Sequence, residues 1–255
     1  MKISLIGSGN VATHLGKAFQ SAGHEIAEVC SRSAENAALL AAALKASALT
    51  DLSALSHEVD LLLIAVRDDA IENILAGLNF RKTIVAHTAG SIPMEILGGS
   101  SPNYGVFYPF QTFSKIREPE LSGLPLCIEA SNLETLENLE VLAKSINGRP
   151  YRTASAQRQV LHLAAVFACN FSNHLYAVAE RLLEQNRLPF DMLRPLIKET
   201  AAKALDVSPR EAQTGPAARG DRKVIAGHLA LLEGQPGLKE LYSALTESIF
   251  RQYNK

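Results

Sequence analysis

A glycine-rich turn close to the start of the chain has the spacing of a phosphate-binding site. The segment GSGNVA, residues 7–12, follows an apolar run at residues 2–6 and precedes a helical pattern at residues 11–21. In a G-x-G-x-x-A turn the first glycine allows a tight bend, the second lets a pyrophosphate approach, and the alanine permits close helix packing. The N–H groups that begin the helix favour an anion. The alternative is a tight turn without a ligand. The residues expected to bind a dinucleotide are Gly7, Gly9, Asn10, Val11 and Ala12.

The end of the second apolar run indicates which dinucleotide this turn would bind. An NAD site carries Asp or Glu about 20 residues after the glycines, where it holds the ribose 2′-hydroxyl. Here that position reads Cys30-Ser31-Arg32-Ser33, and an arginine between two hydroxyls suits a 2′-phosphate. Glu28 lies inside the predicted strand, two residues early. We therefore expect Ser31, Arg32 and Ser33 to select NADP(H); in the alternative, Arg32 is a solvated loop residue.

Two further turns follow predicted strands and are expected near the nicotinamide. The carboxyl ends of parallel strands meet at one edge of a sheet, and dinucleotides bind there. Val66 ends an unbroken apolar run, and His87 and Thr88 begin the polar turn HTAGS after the next run. We expect these three residues to line the cofactor site. Asp69 either belongs to that site or lies at or near the N-terminus of the following helix.

Four polar residues stand in an otherwise apolar helical segment of the second half. Residues 161–183 are apolar on nearly every side, which predicts a central, buried helix. Asn170, Asn173 and His174 share one helical face, whereas His162 lies two turns before Asn170 and is rotated by about 80°. Buried polar groups need partners, so the stripe either faces a cleft or bonds to neighbouring loops. In a cleft, His174 or else His162 would donate a proton, while Asn170 and Asn173 would hold the substrate.

Two loops add candidates for substrate binding. Aromatic and polar side chains follow a predicted strand, and those expected to line the substrate pocket are Tyr108, Gln111 and Thr112. The alternative is that this segment only packs a domain interface. The loop TGPAARGD, residues 214–221, is a fixed turn between helices because of its glycines and proline. Arg219 is a candidate fork for a carboxylate or phosphate, and Asp221 is expected to cap the next helix rather than to act as an acid.

The order of the predicted elements indicates two domains. Up to residue 152, short apolar runs alternate with helical patterns, which predicts a mostly parallel, doubly wound sheet. Beyond residue 155 helical patterns take over, at residues 157–185, 190–204, 221–232 and 238–253. We expect an α/β Rossmann domain over residues 1–153 followed by an all-α domain over residues 154–255.

Composition and charge exclude several classes of protein. The 255 residues are 47% hydrophobic and carry a net charge of −1, so no polybasic surface for nucleic acid is expected. We expect neither a secretory leader nor a membrane span, because no apolar run reaches the ~18 residues that a span needs. Three widely spaced cysteines argue against disulfides and zinc, and a metal site of His162, His174 and Asp221 is a distant alternative. We expect a cytoplasmic protein without a metal.

Five ordered motifs make the chain resemble a bacterial family of oxidoreductases: GSGNVATHL, HTAGS, GVFYPFQTFS, HLAAVFACNFSNHLY and TGPAARGD. Members join an N-terminal Rossmann-like domain to a C-terminal helical domain of unassigned function, and the likeness spans nearly the whole chain. More distantly, the chain is similar to pyrroline-5-carboxylate reductase, ketopantoate reductase, prephenate dehydrogenase and the deazaflavin-linked NADP reductases. In that wider group the helical domain often forms a dimer and the active site lies between the domains. The resemblance implies NADP(H) as cofactor and a homodimer.

One position departs from the pattern of the wider group. Related hydroxyacid dehydrogenases and ketopantoate reductase carry a catalytic lysine four residues before an asparagine on the first long helix of the second domain. Here Val166 stands four residues before Asn170, and no lysine occurs from Ala154 to Arg194. Either histidine replaces the lysine or the chemistry differs.

These observations together predict an NADPH-dependent reductase of a C=O or C=N bond. Its substrate would be a small, carboxylated metabolite whose anionic group Arg219 holds. The first alternative keeps NADPH but exchanges hydride with a deazaflavin or another redox carrier, which a wide, aromatic-lined slot would favour. The second alternative is an NADP(H)-binding protein that senses redox state or docks a partner without catalysis.

Overall fold

The computed structural model describes residues 1–114, 117 and 120–253. Contacts divide the chain into two compact units, Met1–Leu175 and Tyr176–Lys255. This division lies later than residue 153, where we predicted the domain boundary, although the last described strand does end at Arg152. Residues 254 and 255 of the predicted helical domain lie outside the described residues. The described strands are β1 (Lys2–Ile6), β2 (Glu25–Cys30), β3 (Ser47–Leu49), β4 (Leu61–Ile64), β5 (Ile84–His87), β6 (Tyr104–Pro109), β7 (Pro125–Ala130) and β8 (Arg149–Arg152).

Helices lie between the strands and make up the chain after β8. They are α1 (Asn10–Ser21), α2 (Ala34–Leu44), α3 (Ile71–Leu75), α4 (Leu133–Ser145), α5 (Ser155–Ala165), α6 (Ser172–Gln185), α7 (Arg194–Asp206), α8 (Pro209–Ala212), α9 (Pro216–Arg219), α10 (Arg222–Leu231) and α11 (Pro236–Tyr253). A π-helical segment, Val166–Phe171, joins α5 to α6. Short 3₁₀ turns occur at Leu52–Ala54, Asp68–Ala70, Met94–Gly99 and Phe190–Met192.

The eight strands form one sheet in the order β3-β2-β1-β4-β5-β6-β7-β8. Neighbouring strands run parallel except β6 and β7, which are antiparallel. The strand order reverses beside β1, which places a crevice outside the carboxyl ends of β1 and β4. The predicted doubly wound α/β sheet, followed by a helical region, is confirmed.

The central strands β4 and β5 are buried on both faces, as their unbroken apolar sequences require. Side chains alternate between the two faces of a strand, so Leu61 and Leu63 of β4 pack in one cluster with Phe19 of α1. Leu62 packs in the other cluster with Ile71 of α3. The core of the first unit therefore positions the carboxyl ends of the strands.

Two predicted helices differ from the structure. The continuous helix predicted at residues 157–185 is interrupted by the π segment, because hydrophobic spacing does not distinguish an i→i+4 from an i→i+5 hydrogen-bond pattern. The helix expected to begin at or near Asp69 is a 3₁₀ turn, Asp68–Ala70, followed by the single-turn helix α3.

The prediction of a central, buried helix at residues 161–183 is wrong for the described chain. Phe167 is 62% exposed, Leu163 is 56% exposed and Phe171 is 48% exposed. A helix that is apolar all round needs cover on every side, and the sequence pattern does not say what supplies it. Among the described residues, no helix combines the length and the apolar character needed to cross a membrane.

Candidate active site

A cavity of about 910 Å³ lies within the first unit, at the carboxyl ends of the central strands. Its walls come from the turns after β1, β2, β4 and β5, from the end of β6 and from α5 with the π segment. The predicted site residues that line it are Gly7, Gly9, Asn10, Val11, Ser31, Arg32, Val66, Thr88, Tyr108, Gln111, Thr112, His162 and Asn170. The structure therefore brings most of the candidates from both halves of the sequence to one place.

The glycine turn has the geometry that a dinucleotide needs. Gly7 has φ of +113°, and a Cβ there would lie 2.2 Å from the Ala65 carbonyl oxygen, so no other residue fits. A Cβ on Gly9 would meet nothing within 4 Å, because this glycine faces the open cavity at the start of α1. Ala12 is completely buried against the sheet and does not line the cavity. Its predicted role is therefore close packing rather than contact with a ligand.

The end of β2 presents one unpaired cation to the cavity. Arg32 is exposed, and among residues 1–114, 117 and 120–253 no hydrogen bond or ion pair engages it. The Ser31 hydroxyl lies 2.8 Å from the Ser8 hydroxyl, and the Ser33 hydroxyl caps α2 by accepting from the Asn36 N–H. Glu28 is occupied inside the sheet, because its carboxylate accepts from the Ser4 hydroxyl at 2.7 Å. No acid at this strand end is therefore free to hold a ribose 2′-hydroxyl.

The turns after β4 and β5 contribute differently from each other. Val66 and Thr88 line the cavity, whereas His87 is completely buried behind it. The His87 Nδ1 accepts a hydrogen bond from the Ala89 N–H at 3.1 Å. Burial, and then the positive charge of Arg158, lower the pKa of His87 to about 4. His87 is therefore neutral at physiological pH, and it supports the shape of the turn from below.

Asp69, whose role the sequence left open, does not cap α3. It lies in the 3₁₀ turn before that helix, and its carboxylate accepts two hydrogen bonds from Arg67 at 2.7 and 3.1 Å.

His162 forms a closely packed group with Tyr108 and Gly90. The His162 Nδ1 lies 3.0 Å from the Tyr108 hydroxyl oxygen, and the two rings meet edge to face at 6.0 Å between centroids. A Cβ on Gly90 would lie 2.6 Å from the His162 Nδ1 and 2.9 Å from the Tyr108 Cζ. Burial raises the pKa of Tyr108 to about 12, so its hydroxyl stays protonated. The HTAGS turn is recognisable from its sequence, but this role of its glycine is not, because it depends on two residues that are distant along the chain.

The π segment affects which polar residues reach the cavity. Its i→i+5 hydrogen bonds widen the turn, so each residue advances by a smaller angle than in an α-helix. This reduces the rotation of about 80° that α-helical geometry predicts between His162 and Asn170, and both residues line the cavity. Asn173 and His174 are exposed on α6 and do not line it.

The segment after β6 is attached to the glycine turn by two residues of α1. The Asn10 side-chain amide donates to the Phe113 carbonyl at 2.9 Å, and the His14 Nε2 lies 2.9 Å from the Ser114 carbonyl oxygen. The His14 ring also stacks on Phe113 at 5.5 Å between centroids. Asn10, predicted as a cofactor contact, thus also links the cofactor turn to the Gln111–Phe113 wall, and His14 was not predicted at all.

The loop that carries Arg219 belongs to the second unit. Arg219 is exposed at the end of α9. The predicted cap at Asp221 is confirmed, because its carboxylate accepts from the Val224 N–H at 3.1 Å. The described part of the chain contains no group of three His, Cys, Asp or Glu side chains that could hold a metal ion.

Two family models match the chain. The model described as "NADP oxidoreductase coenzyme F420-dependent" matches residues 2–90, from β1 to the Gly90 turn. A domain of unknown function, DUF2520, matches residues 124–249. A comparison with curated proteins finds no match.

Solved structures resemble the chain over nearly its full length. A "putative NADP oxidoreductase" from Bacteroides fragilis is 44% identical, with 98% of each chain covered and a TM-score of 0.91. A 1-pyrroline-5-carboxylate reductase from Streptococcus pyogenes is 19% identical over 99% of this chain and 98% of its own, with a TM-score of 0.64. An imine reductase from Myxococcus stipitatus, in complex with NADP+, is 16% identical over 100% of both chains, with a TM-score of 0.66.

The two more distant structures share the fold, whereas the Bacteroides fragilis protein also shares much of the sequence. In this chain the match to the NADP oxidoreductase model comes first and the match to DUF2520 follows it, which is the order of domains that the motifs predict. This chain therefore belongs to the same family of NADP oxidoreductases as the Bacteroides fragilis protein, with a domain of unknown function at its C-terminal end.

Proposed function

We propose that the protein is an NADP(H)-dependent oxidoreductase that reduces a C=O or C=N bond of a small molecule. The observation that carries this proposal is a single cavity that joins the glycine turn and Arg32 to His162 and Asn170. When bound, NADPH would supply hydride. Two of the distant structures are named as a pyrroline-5-carboxylate reductase and an imine reductase, and both names denote reduction of a C=N bond. These names support including a C=N bond in the proposal.

The residues that would hold the cofactor fit it. The backbone at Gly9 is open to a pyrophosphate, and the N-terminus of the twelve-residue helix α1 favours the negative charge. Arg32 would bind a 2′-phosphate as a charged fork, together with the hydroxyls of Ser31 and Ser33. Val66 and Thr88 would contact the nicotinamide half, with His87 supporting the turn.

His162 would act as the proton donor. Hydride addition to the carbon leaves an electron pair on the substrate oxygen or nitrogen, and a histidine can donate the proton that this atom takes up. Asn170 would orient the reacting group, and Tyr108, Gln111 and Thr112 would contact the rest of the substrate. His174 as the acid and Asn173 as a substrate contact are the alternatives that the variants below test, and a substrate carboxylate bound by Arg219 stays a prediction.

The first test is a fluorescence titration with NADPH and with NADH. Tight NADPH binding with weak NADH binding supports the site, and Arg32→Ala should lower the NADPH affinity by about tenfold or more, since a charged hydrogen bond contributes about 1.5–3 kcal/mol. Arg81→Ala, an exposed arginine that does not line the cavity, is the control and should bind like the wild type. Failure to bind either nucleotide would remove the cofactor and the mechanism together.

The second test locates the proton donor. In NADPH-dependent turnover with a panel of imines and carbonyl compounds, His162→Ala should lower kcat by about 10²–10⁴. His174→Ala is the matched control on the same helical segment and should retain activity. The reverse result would move the acid to His174.

A second candidate function is hydride exchange between NADP(H) and a deazaflavin. The cavity is wide, and the aromatic rings of Tyr108, Phe110 and Phe113 line it; the N-terminal family model is also named for coenzyme F420. A deazaflavin absorbance assay with NADPH distinguishes the two candidates. NADPH binding without turnover in either assay would favour a non-catalytic sensor.

We also propose that the protein is a cytoplasmic homodimer. The exposed apolar side chains of the π segment and of the second unit support the homodimer, because monomers seldom leave so many large apolar groups in water.

A further inference from the structure

Arg158 is a buried charge to which the proposed function assigns no role. It lies on α5, one turn before His162, and its side chain is completely buried. Its Nη1 donates to the Glu129 Oε2 at 2.5 Å, at the end of β7. A buried ion pair contributes little net stability compared with apolar packing, and its better attested role is to select one conformation. The position of Arg158 suggests which conformation that is.

The other side of the guanidinium holds the loop that follows Gly90. The Arg158 Nη2 donates to the Ile92 carbonyl at 2.5 Å and to the Ser155 hydroxyl at 3.2 Å. Arg158 therefore connects β7, α5 and this loop through one planar fork.

Two neighbouring residues of α5 hold the same loop. The Ser155 Oγ accepts from the Met94 N–H at 3.1 Å, and the Gln159 Nε2 donates to the Ser91 carbonyl at 2.9 Å. The Ser155 backbone N–H and hydroxyl also donate to the Glu129 carboxylate, at 2.8 and 2.7 Å. Residues 91–94 are thus attached to the first turns of α5 at three points.

The anchoring residues and His162 share one face of α5. Ser155, Arg158, Gln159 and His162 have the spacing i, i+3, i+4 and i+7, which places them along one side of a helix. Ser155, Arg158 and Gln159 hold residues 91–94. Gly90 immediately precedes these residues and lies against the His162 ring. A shift of the loop relative to α5 would therefore move His162 relative to Tyr108.

We propose that Arg158 is a positioning residue: by tying residues 91–94 to α5 and β7, it holds His162 in hydrogen-bond contact with Tyr108 against Gly90. This inference rests on the proposed function only where it assigns catalysis to His162; the positioning itself is a property of the free protein.

The test is the chemical environment of the His162 ring in the full chain. Protein labelled with ¹⁵N-histidine reports the Nδ1 and Nε2 shifts, and the His162 signals are those that His162→Gln removes. Tyr108→Phe defines the shifts of a ring without the Tyr108 hydroxyl. Arg158→Lys keeps the charge but lacks the planar fork that reaches Glu129 and Ile92 together, so its His162 shifts should move to those of Tyr108→Phe.

A matched control separates positioning from the general loss of an arginine. Arg152→Lys makes the same replacement in another Arg–Glu pair, the 2.6 Å contact with Glu140, which does not touch the loop. Its His162 shifts should equal those of the wild type.

Gln159→Ala provides a second test in case Arg158→Lys, a substitution at a buried residue, fails to fold. Gln159 is exposed and contributes one bond, to Ser91, so this variant should fold and move the His162 shifts part of the way. Cooperative unfolding shows whether Arg158→Lys is folded. The proposal is overturned if the His162 shifts of folded Arg158→Lys equal those of the wild type. If Arg158→Lys does not fold, wild-type His162 shifts in Gln159→Ala overturn it.

Turnover then separates this inference from the proposed function. Arg158→Lys should lower kcat by about 10²-fold, the usual effect of an ångström-scale misplacement, with the NADPH dissociation constant changed by less than about threefold. Moved His162 shifts with unchanged kcat would leave the positioning role intact and would reject His162 as the proton donor.

Discussion

At the scale of single residues, the absent side chain of Gly90 matters as much as the groups around it. A Cβ on Gly90 would lie only 2.6 Å from the His162 Nδ1 and 2.9 Å from the Tyr108 Cζ. Gly90→Ala should therefore separate the two rings and lower kcat by about 10²-fold, with NADPH binding nearly retained. The matched control is Gly99→Ala, where a Cβ would meet nothing within 4 Å. Steady-state kinetics that are unchanged in Gly90→Ala would mean that the Tyr108–His162 contact is not used.

His87 makes a residue-scale prediction about stability. Its pKa is near 4 in the folded protein and near 6.5 when unfolded, so between these values the unfolded chain binds more protons. The contribution of the neutral, buried His87 to the free energy of unfolding is therefore fully present above about pH 6.5. As the pH falls from there towards 4, this contribution decreases by about 1.4 kcal/mol per pH unit. Urea unfolding at pH 7 and pH 5 should differ by about 2 kcal/mol more in the wild type than in His87→Gln.

The control for this pH dependence is His57→Gln, which replaces an exposed histidine. It should keep the wild-type difference between pH 7 and pH 5. An equal pH dependence in the wild type and in His87→Gln would show that His87 takes up a proton in the folded state.

At the scale of elements, the π segment affects which asparagine lines the cavity. An unbroken α-helix places Asn170 and Asn173 on one face, yet only Asn170 of the two lines the cavity. Asn170→Ala should raise the KM for the substrate by about tenfold, the effect of losing a hydrogen bond worth about 1.4 kcal/mol. Asn173→Ala should leave KM unchanged, and equal effects of the two variants would contradict the described geometry.

At the scale of the whole molecule, the exposed apolar side chains predict an assembly. Leu205 on α7 is 88% exposed and Leu231 on α10 is 80% exposed, which is costly in water at about 25 cal/mol per Å² of apolar surface. Light scattering should give twice the chain mass of 27.5 kDa. Leu205→Glu should weaken the dimer by at least about tenfold, since a charge buried in an interface is costly. Leu39→Glu, at a 65% exposed leucine of α2, is the control, and a monomeric wild type would refute the assembly.

The sequence by itself determined the sheet, the order of the elements and the glycine turn. These features follow from local physics: the run at residues 61–64 is apolar at every position because both of its faces are buried, and Gly7 is required because its φ is positive. Arg32 was identifiable because it stands at a fixed distance after the turn.

Only the tertiary structure decided which polar residues share the cavity. His162 and Tyr108 are 54 residues apart, and no spacing rule connects them to each other or to Gly90. The position of His174 outside the cavity lining, the burial of His87 and the hydrogen bond from Arg158 to Ile92 likewise depend on contacts between distant segments. Hydrophobic periodicity shows that a helix has apolar faces but not which surface covers each one, and for that reason the sequence predicted burial where the described chain is exposed.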